Sequence, residues 1–146
     1  MPDGQVRKEV VATDRAPTPT IHQSQAIKAG DLVFLSGLMA TDYESPLAPA
    51  AQVNPAFPYH GVSMKRQMEY IFDTAEILLA EAGTSLARLV RRQSFLSDMP
   101  NEMPAFREVT RERLKGVPNA STTIGVGSEL IIPACTVLID AMAVTA

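Results

Sequence analysis

The stretch SMKRQMEYIFDTAEILLAEAG, residues 63–83, decides the fold class because it contains the clearest helix of the chain. Ser63 is a suitable N-cap, and Gly83 occupies the position just after the last helical residue, where helices commonly end. Apolar residues recur at spacings of three and four and form one stripe, namely Met64, Met68, Ile71, Phe72, Ala75, Leu78, Leu79 and Ala82. This pattern predicts an amphipathic helix over residues 63–82 that buries one face.

Strand patterns flank this helix on both sides. Before it, the pattern predicts an edge strand at Lys8–Thr13 and a hairpin of Gln25–Lys28 and Leu32–Ser36 around Gly30, which is able to adopt a positive φ. After it, the pattern predicts strands at Leu89–Ser97, Ser121–Val126 and Thr136–Val144. A second helix is predicted between the first two of these strands, with Asn101 as its cap, Pro104 in its first turn and its end near Gly116. Each helix links two strands as a crossover does. The order predicts an α+β fold in which both helices cover one face of a mixed sheet.

The other face of that sheet has no helix to cover it. Alternate residues of Leu89–Ser97 and of Thr136–Val144 are apolar on both sides of each strand. A strand with two apolar sides is typical of a sheet that is buried on both faces. We therefore expect other subunits to cover the second face.

Composition indicates one globular domain over residues 1–146, with a Pro-rich insertion at residues 41–62. Apolar residues make up 46% and charged residues 20%, and the net charge is −3, so no overall positive field attracts nucleic acid or an anionic membrane. No apolar run approaches the length of a membrane-spanning helix, and no secretory signal opens the chain. One cysteine, Cys135, cannot form an internal disulfide, which suits a reducing compartment. We expect a cytoplasmic protein in which Cys135 is buried and structural, with a reactive thiol as the alternative.

Several kinds of functional site find no support in the sequence. His22 and His60 have no Asp, Glu or Cys at metal-ligand spacing, so we expect no metal, and no motif calls for a cofactor. Basic residues are interleaved with acids and lack interleaved aromatics, which favours solvated helix faces over an RNA-binding patch; they are Lys65, Arg66, Arg91, Arg92, Arg111, Arg113 and Lys115.

Two clusters of small polar residues are candidates for a ligand site. Ser36-Gly37 ends one predicted strand, and Ser121-Thr122-Thr123 lies in another. Backbone N–H groups and hydroxyls at strand ends can hold a carbonyl or carboxylate oxygen. Simple strand termination is the alternative interpretation, and composition alone favours it.

A family resemblance brings these clusters together. The run SQAIKAGDLVFLSG at residues 24–37 resembles the opening of the Rid family, also known as YjgF/RidA or endoribonuclease L-PSP. Collinear matches continue to the C-terminus at Gln67, Ile77-Leu78, Ala82-Gly83, Leu89-Val90-Arg91, Phe95-Leu96, Asp98-Met99, residues 120–126 and residues 139–144. The resemblance implies a chorismate-mutase-like fold and a homotrimer with a cleft between each pair of subunits. In the best-known branch these clefts hydrolyse imines and enamines and release ammonia.

In that branch an arginine clamps the substrate carboxylate, backbone N–H groups hold it, and a glutamate acts on the attacking water. This chain departs from the pattern at both charged positions. The Pro-Ala-Arg-Ser motif matches residues 119–122, or 118–121 in another alignment, so the arginine is replaced by Ser121 or Ala120. The glutamate position falls on Leu138, while Asp140 takes the second acidic place, and Gln23 replaces a tyrosine before Ser-Gln. We expect a more apolar pocket that suits a larger or less charged ligand.

We expect the ligand to contact the cleft residues Ser36, Gly37, Ser121, Thr122, Thr123, Leu138 and Asp140. Arg92 or Arg107 would supply the missing positive charge, although the ordinary interpretation of both is that of surface residues. Phe57, Tyr59 and His60 in the insertion would form a lid over the opening.

Three functions fit this set of residues. The first is hydrolysis of an imine, an enamine or a related reactive carbonyl compound other than the substrates that need the arginine. The second is binding of a small metabolite without turnover, as in a regulator. The third and least favoured is an endoribonuclease, because the net charge is negative and no acid–base pair is evident.

Overall fold

The computed structural model describes residues 4–53 and 63–145. Within them the chain forms the strands β1 (Lys8–Val11), β2 (Ala26–Ala29), β3 (Leu32–Leu38), β4 (Leu89–Leu96), β5 (Ala120–Gly125) and β6 (Val137–Val144), and the helices α1 (Ser63–Glu81) and α2 (Met99–Leu114). Short 3₁₀ turns lie at Pro49–Ala51 and Leu86–Arg88. The strands form one sheet in the order β1-β2-β3-β6-β4-β5. The predicted α+β class is therefore confirmed.

Both helices act as crossovers between parallel strands. β6 pairs antiparallel with β3 on one side and with β4 on the other, so β3 and β4 run in the same direction and α1 connects them. β4 and β5 pair parallel, and α2 connects them. The hairpin between β2 and β3 turns at Gly30, whose φ of +59° is the left-handed conformation that glycine adopts without strain.

One core lies between α1, α2 and the sheet. The predicted stripe of α1 is buried, and Met68, Ile71, Leu78 and Leu79 are almost inaccessible to solvent. Side chains from β3, β4 and β6 meet this stripe, including Val33, Leu35, Leu96, Val137, Ile139 and Ala143. Burial of each large apolar side chain contributes about 1.5–3 kcal/mol, so this layer holds the helices on the sheet.

The second helix begins earlier than the sequence pattern predicts. Asp98, and not Asn101, is the N-cap, and Asn101 lies inside the first turn. The Glu102 carboxylate accepts a hydrogen bond from the backbone N–H of Asp98, and the Asn101 amide donates to the Asp98 carboxylate. These contacts satisfy polar groups at the helix end three residues before the predicted cap.

Arg92 is a second correction, because the ordinary interpretation as a surface residue is wrong. Only 7% of Arg92 is exposed, since its strand position points toward the helices and not away from them. Its guanidinium carbon lies 5.8 Å from the centroid of the Phe106 ring on α2. The side chain is therefore enclosed within the apolar layer, while Arg107 on the outer side of α2 is exposed.

Within the described residues, no element covers the face of the sheet opposite the helices, and this face carries large apolar side chains. Large side chains on it remain open to solvent, with Val10 63%, Leu32 36%, Phe34 37% and Ile124 43% exposed. We call this surface the open face. No helix of the described residues is long and apolar enough to cross a membrane.

Candidate functional site

A β-bulge in the middle of the sheet brings four of the predicted site residues together. Leu35 pairs with Ala141 and Leu38 pairs with Ile139, so Ser36 and Gly37 together lie opposite the single residue Asp140. Gly37 also contacts Leu138, because a Cβ added at Gly37 would lie 3.0 Å from a Leu138 methyl carbon. Bulges re-aim side chains and often adjoin functional sites. We call Ser36, Gly37, Leu138 and Asp140 the bulge half-site.

Ser36 does not offer its donors to a ligand as the sequence predicts. Its backbone N–H donates to the Gln25 carbonyl at 3.2 Å, and its hydroxyl donates to the Ser24 carbonyl at 2.5 Å. The Gln25 side chain in turn accepts from the Thr13 N–H and donates to the carbonyls of Thr13, Ala16 and Pro17. The Ser-Gln motif therefore fixes the N-terminal segment against β3, and the Ser36 hydroxyl oxygen remains as an acceptor.

Asp140 lies in a polar row that crosses the open face. Its register partner on β4 is Gln93, and the register partner of Gln93 on β5 is Thr122. Partial burial raises the pKa of the Asp140 carboxyl, and the positive charge of Arg91 opposes that rise. Gln93 and Arg91 were not predicted as site residues, although the period of two along β4 puts both on the side away from Arg92.

The second predicted cluster lies on β5, the last strand of the sheet order. Ser121 and Thr122 are exposed and Thr123 is half-buried. Register partners in parallel strands share a face, so Ser121 and Thr123 lie on the side of Arg92 and Ser94, while Thr122 lies on the open face. We call Ser121, Thr122 and Thr123 the β5 half-site.

The two half-sites do not meet within one chain. β6 and β4 lie between β3 and β5 in the sheet. Three strand spacings, about 14 Å, separate Ser36-Gly37 from β5, and two spacings, about 10 Å, separate Asp140 from Thr122 on the same face. Ser121 and Thr123 lie on the opposite face, so a site that uses them together with the bulge half-site requires a second copy of the chain.

Of the two arginines considered as replacements for the missing charge, Arg92 is the β4 register partner of Ser121 and faces the helices. Arg92 is enclosed between the sheet and the helices, and Arg107 is exposed on α2. The predicted lid residues Phe57, Tyr59 and His60 lie outside the described residues.

An enclosed cavity adjoins the bulge half-site, and sequence reasoning missed it. Its polar lining comes from Gln23, Ser36, Thr41, Tyr43 and Thr74, and it leaves a volume of about 10 Å³, room for one water molecule. Burial raises the pKa of the Tyr43 phenol, while a hydrogen bond with the Gln23 side chain opposes the rise. No periodicity marks Tyr43, because it lies in the loop after β3 and not on a regular element.

Tyr43 has a strained backbone conformation, which the loop around it enforces. Its φ is +65°, and left-handed geometry costs a non-glycine residue roughly 1–2 kcal/mol. The Tyr43 N–H donates to the Thr41 hydroxyl oxygen at 3.0 Å, and the Asp42 carboxylate accepts from the N–H groups of Glu44 and Ser45. Such strain persists only where surrounding contacts determine it, and it is frequent at ligand sites.

Cys135 is a buried free thiol, in agreement with the structural interpretation of that residue. Its Sγ lies 3.4 Å from the Pro46 carbonyl oxygen, and burial raises its pKa to about 11. The thiol is therefore protonated at neutral pH and is a poor nucleophile. In the part of the chain that the structure describes, no three His, Cys, Asp or Glu side chains converge as metal ligands would.

Comparison with known proteins identifies the family. The sequence profile of the family described as endoribonuclease L-PSP matches residues 13–145. The chain belongs to the endoribonuclease L-PSP family. A RutC family protein of Pyrococcus abyssi is 30% identical to it over 105 residues, which are 72% of this chain and 73% of that protein. The predicted Rid resemblance is thereby confirmed.

Two further proteins are similar to this chain. The 2-iminobutanoate/2-iminopropanoate deaminase of Dermatophagoides farinae is 22% identical over 119 residues, which are 82% of this chain and 84% of that protein. The crystal structure of yeast Mmf1 matches the fold with a TM-score of 0.78 at 24% identity, and the match covers 96% of this chain and 100% of that one. Two helices on a mixed six-stranded sheet are therefore the fold of this L-PSP family member.

Proposed function

We propose that three copies of this L-PSP family protein cover one another's open faces and bind a small reactive carbonyl or imine compound in the clefts between them. The exposed large apolar side chains on this face, Val10, Leu32, Phe34 and Ile124, support the assembly, because apolar residues gathered on one exposed face mark interaction surfaces. The separation of the two half-sites is the observation that carries the cleft. Each half-site lacks a counterpart within its own chain, and a neighbouring copy supplies one.

The proposed ligand is less charged than the substrates of the arginine-bearing branch. Ser121, or Ala120 in the alternative alignment, stands where that branch has its carboxylate-clamping arginine, and Leu138 stands where it has its glutamate. Loss of a bidentate charged contact in a dry site is typically worth several kcal/mol, so a carboxylate binds poorly here. Leu138 provides an apolar wall, and the hydroxyls of Ser121, Thr122 and Thr123 provide neutral hydrogen bonds.

The proposed reaction is hydrolysis of the carbon–nitrogen double bond. Water adds to the carbon, the nitrogen takes up protons, and the C–N bond then breaks to give a carbonyl compound and ammonia. Asp140, whose pKa burial raises, is the carboxylate of the bulge half-site that accepts a proton from water. A relative named as an iminobutanoate and iminopropanoate deaminase supports this reaction class.

The test measures ammonia release from 2-iminopropanoate, generated from alanine by an amino-acid oxidase, and from uncharged imines. We expect the protein to hydrolyse 2-iminopropanoate on the order of 10²–10³-fold more slowly than an arginine-bearing homologue. The double variant Ser121→Arg with Leu138→Glu is expected to recover most of that deficit. The matched control is Leu138→Glu alone, because it adds the carboxylate without the arginine. Equal rates for the wild type and the homologue would contradict the proposal.

Binding without turnover is the second candidate, and the missing charged pair favours it. A metabolite that raises the melting temperature of the protein and is recovered unchanged would favour a regulator over a hydrolase.

An endoribonuclease is the third candidate, and the ion pairs weigh against it, because they neutralise basic side chains that would otherwise contact RNA. Lys65 pairs with Glu108, and Arg113 pairs with Glu69, Asp73 and Glu76. RNA binding that weakens steeply with added salt would favour the endoribonuclease.

A cytoplasmic location is part of the proposal, since a lone buried thiol suits a reducing compartment.

A further inference from the structure

The layer between the sheet and the helices encloses the guanidinium of Arg92. Only 7% of the residue is exposed, and its Nη1 donates to the Ser94 hydroxyl oxygen at 3.1 Å. Its Nε is buried and has no hydrogen-bond partner, and among the described residues no carboxylate lies within ion-pair distance of it. The Phe106 ring lies 5.8 Å from the guanidinium carbon. The positive charge of Arg92 therefore acts on its surroundings without a counter-ion.

Arg92 lies directly behind the β5 half-site. β4 and β5 are parallel, and their register pairs Arg92 with Ser121 and Ser94 with Thr123. Register partners share a face and neighbouring strands lie about 4.8 Å apart, so the two side chains place the guanidinium within about 10 Å of the Ser121 hydroxyl. Thr122 lies on the opposite face of β5. The charge of Arg92 is therefore on the side of Ser121 and Thr123, and the sheet separates it from Thr122.

Burial makes this charge effective at a distance. Water and salt ions screen an exposed charge, whereas a buried one acts through a medium of lower dielectric constant. At an effective dielectric constant of about 20, a unit charge about 10 Å away changes the equilibrium for forming a second charge by roughly tenfold. Arg107, the other arginine considered for this role, is exposed on α2 and is screened in this way.

We propose that Arg92 gives the β5 half-site a positive potential from behind, so that this half-site holds the hydrogen-bond acceptor of the ligand, which is the imine nitrogen or the carbonyl oxygen. The inference rests on the proposed function and adds an orientation to it. The nitrogen lies at Ser121 and Thr123 of one copy, and the carbon faces Asp140 of the neighbouring copy.

This orientation places the positive potential where the reaction needs it. As water adds to the carbon, its proton passes to Asp140 and the electron pair of the C=N bond moves to the nitrogen, which then takes a proton from solvent. A fixed positive charge near the nitrogen favours that movement of electrons. Arg92 acts through Ser121 and Thr123 and does not touch the ligand, because the helices enclose its guanidinium. It is a positioning residue and cannot form the bidentate contact that clamps a carboxylate.

The experiment measures the potential at the β5 half-site with an engineered thiol in the full chain and needs no ligand. Ser121→Cys places the thiol on the side of Arg92, and Thr122→Cys is the matched control on the opposite face. Each is combined with Arg92→Met, with Arg92→Gln as a second neutral variant, and with Arg107→Met. Iodoacetamide alkylation is followed as a function of pH, and mass spectrometry separates the new thiol from Cys135, whose burial raises its pKa to about 11.

The expected result is a thiol that responds to Arg92 on one face only. A nearby positive charge lowers the pKa of a thiol. We therefore expect both Arg92 variants to raise the thiol pKa in Ser121→Cys, so that its thiolate fraction at neutral pH falls about three- to tenfold. In Thr122→Cys the fraction should change by less than about twofold, and Arg107→Met should have a smaller effect than either Arg92 variant.

Three results would overturn the inference. They are an unchanged thiolate fraction in Ser121→Cys when the Arg92 charge is removed, an equal fall in Thr122→Cys, and a larger fall with Arg107→Met. A purely structural role for Arg92 predicts the first of these. Imine turnover by the wild type tests the proposed function separately. Absence of turnover removes the hydrolase and leaves the measured potential standing, whereas turnover with an unchanged thiolate fraction removes only the role of Arg92.

Discussion

Replacing Arg92 by methionine is expected to stabilise the protein. Arg92 is 7% exposed, and its Nη1 donates to the Ser94 hydroxyl at 3.1 Å, but its Nε has no hydrogen-bond partner. Among the described residues no carboxylate forms an ion pair with it. Burial alone lowers the pKa of its guanidinium. The core therefore holds a charge that the surrounding side chains only partly compensate.

The expected magnitude follows from four contributions. An unsatisfied buried N–H costs about 1–3 kcal/mol, and exchange of a buried charge for an apolar side chain of similar length is often stabilising by about 1–4 kcal/mol. Loss of the Phe106 contact opposes this by about 0.5–2 kcal/mol, and the fully buried Ser94 hydroxyl loses its donor. We expect a net gain of about 1 kcal/mol for Arg92→Met, and a larger gain when Ser94→Ala is added.

The assay is urea denaturation at neutral pH and fixed protein concentration, because an oligomer's stability depends on concentration. Arg91→Met is the control, since Arg91 lies on the open face and its charge acts on Asp140. We expect that variant to lose up to about 1 kcal/mol, as removal of one partly exposed charge does. A loss of more than about 1 kcal/mol in Arg92→Met would refute the reasoning, because it would show that the guanidinium is fully compensated.

Three further predictions concern packing, reactivity and ion pairing. Gly37→Val is expected to cost about 1–3 kcal/mol in urea denaturation because its side chain meets Leu138, and Leu138→Ala should recover most of the loss; no recovery would mean that the bulge backbone is at fault. Cys135, with its pKa raised to about 11, should resist iodoacetamide at pH 8 in the folded protein and react fully in urea, and rapid alkylation of the folded protein would disprove the burial of the thiol. Arg113→Leu should cost about 1–2 kcal/mol, and less in high salt, because Arg113 bridges α2 to acids on α1; a salt-independent loss would assign the effect to packing on Phe72 instead.

The sequence predicted the elements well where one period dominates. The α1 stripe, the Gly30 turn and the strand pattern of β4 and β6 each follow from spacing alone, and the structure agrees with them. The start of α2 was wrong because two possible caps, Asp98 and Asn101, lie three residues apart, and only the contact from Glu102 decides between them. Two residues that are equally good N-caps by type cannot be ranked from the sequence until the contact that selects one of them is known.

The site was harder to predict than the fold. The sequence identified Ser36, Gly37, Leu138 and Asp140 from a resemblance, but the bulge that places them together depends on a register shift that no residue type announces. The expectation that Gly37 ends its strand was wrong, because β3 continues to Leu38 and Gly37 packs on Leu138. Arg92 beside Arg91 gave no sign of burial, since one step along a strand exchanges the two faces.

Sedimentation equilibrium of the purified chain tests the central claim most directly, because clefts built from two half-sites exist only in an assembly. The account predicts a single species of about 47 kDa at micromolar concentration, three times the 15.8 kDa chain. It also predicts that Phe34→Glu, which places a charge on the open face, sediments as the single chain. A wild-type mass of 15.8 kDa under the same conditions would contradict the account.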